Sequence, residues 1–527
     1  LVNWDFRNEI ATTDTKLWIP TSKDINSDFF SRMRSLDEAS WLGRLGVAYN
    51  ENTGKYVLHV QFKNPYDDPS ADPSAGVLML QGVSPIGDFE YGNLQPLIEN
   101  VGRYGTGDQT VFTDFDGTDY LIFSNRFGRN NGFISKISDD DSLSVEPATK
   151  VWPANGGREG NAMFRLGDTY YLAASNLHGW NSSVTHMTHS QDIQGTYSPQ
   201  YVLPGTEKDY SHVTQTGFFN TVRGTEQDTV VFARDRWAGF AWNGLGFNQW
   251  MPIPEEGEGV EFHSLSNWEL NAVTGEWRVG QANNYVLNPD FAADRVSVKT
   301  LTGWTNEVDT GSPSTDFVSN VSPGADSSRW ALRHGGSQPF SGAVSQENEV
   351  PDGVYRLSLK VNTAGGFDHA RAVVTSGPDQ EYVLDLNAST SGWQDVELGG
   401  IAVSDEPVTL RIEAASATGG RTLAVDALAL VSETPDRSAL AAAITAGEQL
   451  AAEDYARGAW QPFATALDSA RAVSASTLST QAAVDAAHRP QDAGRDGQAD
   501  RQGQGQDAPE LGIEGGVDVV DVGAQEH

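Results

Sequence analysis

The chain has 527 residues, with 35 Lys+Arg against 71 Asp+Glu, no Cys, 54 Gly and 14 Trp. At roughly 100–200 residues per domain about three domains are expected, and 38% hydrophobic residues supply packed cores, which excludes wholesale disorder. A formal net charge of −36 disfavours nucleic acid and anionic membrane surfaces as partners, and the missing Cys excludes disulfides and thiol chemistry.

No run of 18 or more apolar residues is present, so no membrane insertion is expected. High acidity, scarce Lys and abundant Trp and Tyr point to a secreted or cell-surface protein. Leu1-Val2-Asn3-Trp4 reads as the middle of something, so the start is expected to have been processed or cloned away.

Residues 1–285 are rich in aromatics, Gly and Asn, in short alternating runs without a helical period. A turn followed by an aromatic, β-branched strand occurs at Thr53-Gly54-Lys55-Tyr56-Val57-Leu58. It recurs at Asp116-Gly117-Thr118-Asp119-Tyr120-Leu121-Ile122 and at Leu166-Gly167-Asp168-Thr169-Tyr170-Tyr171. Weaker copies are Gln227-Asp228-Thr229-Val230-Val231-Phe232 and Thr274-Gly275-Glu276-Trp277. A repeat of roughly 50–60 residues is near the period of a four-stranded propeller blade. The expected fold class is all-β: a five-bladed β-propeller with its first blade truncated, then a β-sandwich jelly roll and a short α-helical segment. The competing reading of the first part is a β-sandwich with chance hairpin similarity.

Residues 286–432 stay strand-like but lighter in aromatics, with turn signals every 8–12 residues, as in a β-sandwich. They resemble the galactose-binding-like jelly rolls appended to carbohydrate enzymes; the alternative is a structural spacer. Residues 433–488 place Leu440, Ile444, Leu450, Tyr455, Trp460, Phe463, Leu467, Ala470 and Val473 largely at helical spacing. They resemble the start of a FIVAR helical module, common on Gram-positive secreted glycosidases, with the final helix missing. Residues 489–527, rich in Gly, Gln and Asp without an aromatic, read as a disordered tail.

A propeller gathers polar residues from the starts of its inner strands at one axis. Four segments fit: Gly107-Asp108-Gln109-Thr110-Val111-Phe112, Arg158-Glu159-Gly160-Asn161-Ala162-Met163-Phe164, Thr214-Gln215-Thr216-Gly217-Phe218 and Ala233-Arg234-Asp235-Arg236-Trp237. Two carboxylates near one axis suit glycoside hydrolysis, because an anionic neighbour raises the pKa of the partner that must donate a proton. An Asp before a strand is also a common turn cap, so spacing alone leaves Asp108 and Glu159 open.

The order of several stretches resembles glycoside hydrolase family 43, within it the exo-β-1,3-galactanase subfamily (subfamily 24). They are Leu1-Val2-Asn3-Trp4, Val47-Ala48-Tyr49-Asn50, Asp108 with Asp114-Phe115-Asp116-Gly117, Arg158-Glu159 with Ala162-Met163-Phe164, Gly179-Trp180-Asn181 and Asp235-Arg236-Trp237. The likeness covers about residues 1–255. It implies that Glu159 is the general acid and that Asp108 tunes it and holds the sugar. By the same likeness Asn130 binds sugar, and Gln215 stands where a base is needed and positions water. The implied activity is that of a secreted, exo-acting, inverting glycosidase on the β-1,3-galactan of arabinogalactan. Its partner is a polysaccharide or oligosaccharide substrate, with no cofactor. The subfamily has a Glu where Gly43 precedes Arg44, and a small hydroxyl residue where His178 stands. Those departures keep α-L-arabinofuranosidase, β-xylosidase and a non-catalytic carbohydrate-binding propeller as alternatives.

Trp180, Trp237 and Trp242 are candidate sugar platforms or core residues, and Arg158, Asp235 and Arg236 candidate orienting or substrate-binding groups or structural ion pairs. His186 and His189 are three apart in a strand-like run and face opposite sides, which argues against a metal pair. Asp139-Asp140-Asp141 and the Asp67-Asp68 to Asp72 loop lack EF-hand spacing and read as solvated turns. No metal is expected.

Overall fold

The computed structural model describes residues 15–20, 31–36, 41–63, 75–87, 89–102, 105–153, 156–237, 246–257, 259–294, 297–310, 318–377, 380–404, 407–435, 437–452, 457–476, 479 and 481–488. Leu1–Trp4, Trp242, Tyr455, the Asp67–Asp72 loop and the tail lie outside these residues.

Consecutive antiparallel sheets build the first half, each an up-and-down meander. The first sheet holds Trp41–Asn50, Lys55–Lys63, Ala75–Gly82 and Glu90–Gln95. The second holds Thr106–Thr113, Asp119–Asn125, Asn131–Lys136 and Thr149–Pro153. The third holds Glu159–Leu166, Thr169–Ser175, Thr185–Ser190 and Tyr201–Val202. The fourth has three strands, Gln215–Arg223, Asp228–Arg236 and Phe247–Ile253. In these four sheets the repeated turn motif of the sequence lies at the turn between the first and second strands.

The sheets stack face to face, which explains why their second strands are buried on both sides. Ala48, Val57, Val77 and Met79 of the first sheet meet Leu121, Phe123 and Phe133 of the second. Ile122, Ile134 and Trp152 on the opposite face of the second meet Met163, Leu172 and Ala174 of the third. Phe164, Tyr171, Ala173 and Met187 then meet Val230, Phe232, Met251 and Ile253 of the fourth. Burying one such large apolar side chain contributes about 1.5–3 kcal/mol. First strands of neighbouring sheets run side by side, so their starts converge at one end of the stack.

Among the described residues no fifth four-stranded sheet closes the series. Beyond the fourth sheet lie two short hairpins, Glu255–Glu256 with Gly259–Val260 and Trp268–Leu270 with Trp277–Val279. Trp268 and Trp277 pack on the cluster shared by the third and fourth sheets. A separate pair, Lys16–Pro20 with Ser31–Ser35, lies near the last strand of the first sheet.

Two five-stranded antiparallel sheets follow, covering residues 305–432. In Gly353–Thr363 burial alternates, with Leu357, Leu359 and Val361 inward against Leu410, Ile412, Val425 and Leu430. This core reaches the first half of the chain, since Tyr210 and Trp237 pack against it. Helices Ser438–Glu448, Arg457–Ala475 and Gln481–His488 bury Leu440, Ala470 and Val484 between them. No helix of the described residues is long and apolar enough to cross a membrane.

Candidate active site

The first strands of all four sheets share an irregularity near their start. Pairing slips between Leu42 and Leu45, Thr106 and Gln109, Glu159 and Ala162, and Thr216 and Phe218. Each slip contains a glycine: Gly43, Gly107, Gly160 and Gly217. Bulges of this kind bend a strand and re-aim the side chains at its end. At Gly160 the requirement is strict, because φ is +64° and an added Cβ would lie 2.4 Å from the Thr216 carbonyl oxygen. Only glycine lets the third and fourth first strands approach so closely.

The side chains at these bulges meet. Arg129 Nη1 lies 3.0 Å from Asp108 Oδ1 and 2.9 Å from Glu159 Oε2, bridging the two carboxylates. Arg44 joins the same group from the first sheet, with Nε 3.5 Å from Asp108 Oδ2 and Nη2 2.9 Å from Asp235 Oδ2. The Gly160 backbone N–H donates to Asp108 Oδ2 at 3.0 Å. All five side chains are 13–21% exposed, screened from bulk water yet reachable.

Gln215 completes the cluster and is tightly held. Its Nε2 donates to the carbonyls of Gly179 (2.7 Å) and Asn181 (2.6 Å) and lies 3.4 Å from Glu159 Oε1. Its Oε1 accepts the Trp237 indole N–H at 2.9 Å. The chain reaches Gln215 from Tyr210–Val213, a turn whose four residues all have left-handed φ between 53° and 59°. Buried Arg234 donates to the Ser211 carbonyl at 2.8 Å and Asp209 accepts the His212 N–H at 2.7 Å, pinning that strained turn.

Burial pushes the Glu159 carboxyl up to about 7, helped by repulsion from Asp108 and opposed by Arg129, Arg44 and the His178 backbone N–H. Burial also raises Asp235 above the ordinary carboxylate value, against the pull of Arg44 and of Asn248. A carboxyl that keeps its proton near neutrality beside an ionised partner can act as a general acid. Among the described residues no group of three or more His, Asp and Glu side chains is arranged to hold a metal ion.

Of the residues singled out from sequence, the structure gathers Asp108, Glu159, Gln215, Asp235 and Trp237 into one cluster. Asp235, Arg236 and Trp237 come not from the start of a first strand but from the end of the second strand of the fourth sheet and just beyond. Antiparallel pairing sets Asp235 directly across from Gln215. Trp180 is 62% exposed and stands edge-on to Trp237, with ring centroids 4.9 Å apart and planes at 77°. Arg236 turns away and pairs with Asp290 at 2.9 Å. Asn130 sits exposed beside Arg129, and its amide oxygen accepts from Asn125 and Asn131. Arg158 lines a separate cavity of about 590 Å³ with Trp152, His186, Tyr197 and Tyr201.

Sequence reasoning missed Arg129 and gave Arg44 no role. Arg129 lies in the turn after Asn125, at positive φ, where no strand pattern points to it. The signal was two arginines in one short polar loop, Asn125-Arg126-Phe127-Gly128-Arg129.

No protein-family model and no curated protein matches the chain. Solved structures to which it is similar include an exo-β-1,3-galactanase from Phanerochaete chrysosporium with β-1,3-galactotriose. That pair has 15% identity over 73% of this chain and 81% of the other, at a TM-score of 0.40. An exo-β-1,3-galactanase from Clostridium thermocellum has 16% identity, with 80% and 94% covered and a TM-score of 0.42. A family 43 arabinoxylan arabinofuranohydrolase from Bacillus subtilis has 16% identity, with 75% and 80% covered and a TM-score of 0.32.

Proposed function

We propose that the chain is a glycoside hydrolase of the family 43 type, built on a five-bladed propeller, that releases sugar from a polysaccharide with inversion. The observation that carries this reading is Glu159, whose carboxyl holds its proton up to about pH 7 beside Asp108 and Arg129. Glu159 gives that proton to the glycosidic oxygen as the bond breaks. Asp108 raises the cost of ionising Glu159, while Arg129 stops the shift from going so far that the acid becomes too weak. The carboxylates also favour the positive charge that develops on the sugar ring in the transition state. Trp180 and Trp237 offer ring faces and edges for the apolar side of a pyranose. Gln215, held on three sides, positions water or a hydroxyl rather than supplying charge.

The finer reading is exo-action on β-1,3-galactan, by a secreted protein. Its support is the order of the Asp108, Glu159, Gly179-Trp180-Asn181 and Gln215 stretches along the chain. Incubation with β-1,3-galactan, arabinan and xylan tests it. Galactose released from the first alone is the expected result; arabinose or xylose from the others would move the substrate. Binding without release from any would leave a carbohydrate-binding protein.

A further inference from the structure

Inversion requires a group that removes a proton from the attacking water, and the position facing Glu159 is filled by the neutral amide of Gln215. An amide takes up a proton usefully only as its imidic tautomer, with a hydrogen on oxygen and a lone pair on nitrogen. The surroundings of Gln215 oppose that form. Its nitrogen faces two carbonyl oxygens, Gly179 at 2.7 Å and Asn181 at 2.6 Å, which demand two N–H donors. Its oxygen faces the Trp237 indole N–H at 2.9 Å, which demands an acceptor. Tautomerisation would set lone pair against lone pair at nitrogen and hydrogen against hydrogen at oxygen, at a cost of about 1–3 kcal/mol for each buried group left unsatisfied.

One other carboxylate shares this wall. Asp235 is the cross-strand partner of Gln215, so both side chains project from the same face of the fourth sheet. Directly opposed residues have Cβ atoms about 4.5–5.5 Å apart. Gln215 itself lies 3.4 Å from Glu159. Glu159, Gln215 and Asp235 therefore follow one another along the wall, with Gln215 between the two carboxyls, the order needed where acid and base of an inverting glycosidase flank a water. Arg44 holds Asp235 Oδ2 at 2.9 Å, and Asn248 donates to Oδ1 at 2.6 Å, fixing the carboxylate plane. Its side chain is 16% exposed, open enough to meet a water. Asp108 stands on the acid's side of the cluster instead, sharing Arg129 with Glu159 and also bound by Arg44 and the Gly160 N–H.

We propose that Asp235 is the general base, with Gln215 as the group that steers the water toward it; this rests on the glycosidase reading above. In the step, the water oxygen bonds to the anomeric carbon and one water proton passes to Asp235. The glycosidic carbon–oxygen bond breaks, and the Glu159 proton goes to the leaving oxygen. The sum is hydrolysis, with no other reactant.

The test uses the full chain on whichever polysaccharide it cleaves. Asp235→Asn is expected to lower kcat by about 10²–10⁴-fold with KM within a fewfold. Sodium azide is expected to restore turnover in part, by forming the glycosyl azide of inverted configuration. Asn248→Ala, at an exposed position, guards against a variant that fails to fold. It removes a hydrogen bond that lowers the Asp235 pKa, so the acidic limb of kcat/KM moves to higher pH while the alkaline limb stays. Asp235→Asn activity within fivefold of the unchanged protein, or an acidic limb unmoved by Asn248→Ala, overturns the assignment alone. Absence of any turnover by the unchanged protein overturns the glycosidase reading and the assignment with it.

Discussion

Replacing Asp108 with Asn removes the charge that helps keep Glu159 protonated while leaving an oxygen to accept the Gly160 N–H. With its pKa at about 7, Glu159 carries its proton in about 90% of molecules at pH 6; at the ordinary 4.5 it would do so in about 3%. Full relaxation would therefore cost about thirtyfold in kcat/KM at pH 6 and little at pH 4. Burial is the larger cause of the shift and remains in the variant, so the expected loss at pH 6 lies between about threefold and thirtyfold. Arg129 and Arg44, now opposed by one negative charge fewer, pull in the same direction. The assay is kcat/KM against pH for both proteins, with matched melting temperatures as the control for folding. The alkaline limb is expected to move to lower pH in the variant. A limb that stays in place, or moves up, refutes the coupling between the two carboxylates.

Trp237→Phe deletes the indole N–H that holds Gln215 Oε1; kcat/KM is expected to fall about tenfold, matching a hydrogen bond worth ~1.4 kcal/mol. Gly160→Ala puts a Cβ against the Thr216 carbonyl at positive φ. Denaturant unfolding should show a loss of about 1–3 kcal/mol or more, with activity lost alongside. Asp426, fully buried within the last sandwich strand, Arg421–Ser432, has its pKa raised to about 7 by burial. Its folded value lies above the unfolded one, so its contribution to stability is full at low pH and is lost as pH rises through 7. Asp426→Asn should therefore melt progressively higher than the unchanged protein between about pH 4 and 7, with the gap levelling off above that, by roughly 2–4 °C per kcal/mol. A constant difference across that range would contradict it.

The hairpins of the first half were legible because a Gly turn followed by a Tyr- or Phe-rich strand is a local signal, as at Asp116–Ile122. The meeting of Asp108 with Glu159 was legible only as an expectation from strand position, since about 50 residues separate them. Arg129 was not legible, because a turn residue earns its place through what the fold brings near it. The Ala233–Trp237 segment is patterned like a strand start, yet Asp235 lies at a strand end. Period-two patterning fixes which residues share a face but not which way the strand runs past its neighbour. The contact of Trp237 with the sandwich core was beyond sequence as well, since it depends on how two separately patterned regions dock.

Donation of a proton by Glu159 to the leaving oxygen stands or falls with Glu159→Gln. With the natural polysaccharide, turnover is expected to fall by about 10²–10⁴-fold. With an aryl glycoside whose phenolate leaves without protonation, the same variant should stay near the unchanged protein. Polysaccharide turnover within fivefold of the unchanged protein would mean that Glu159 is not the proton donor.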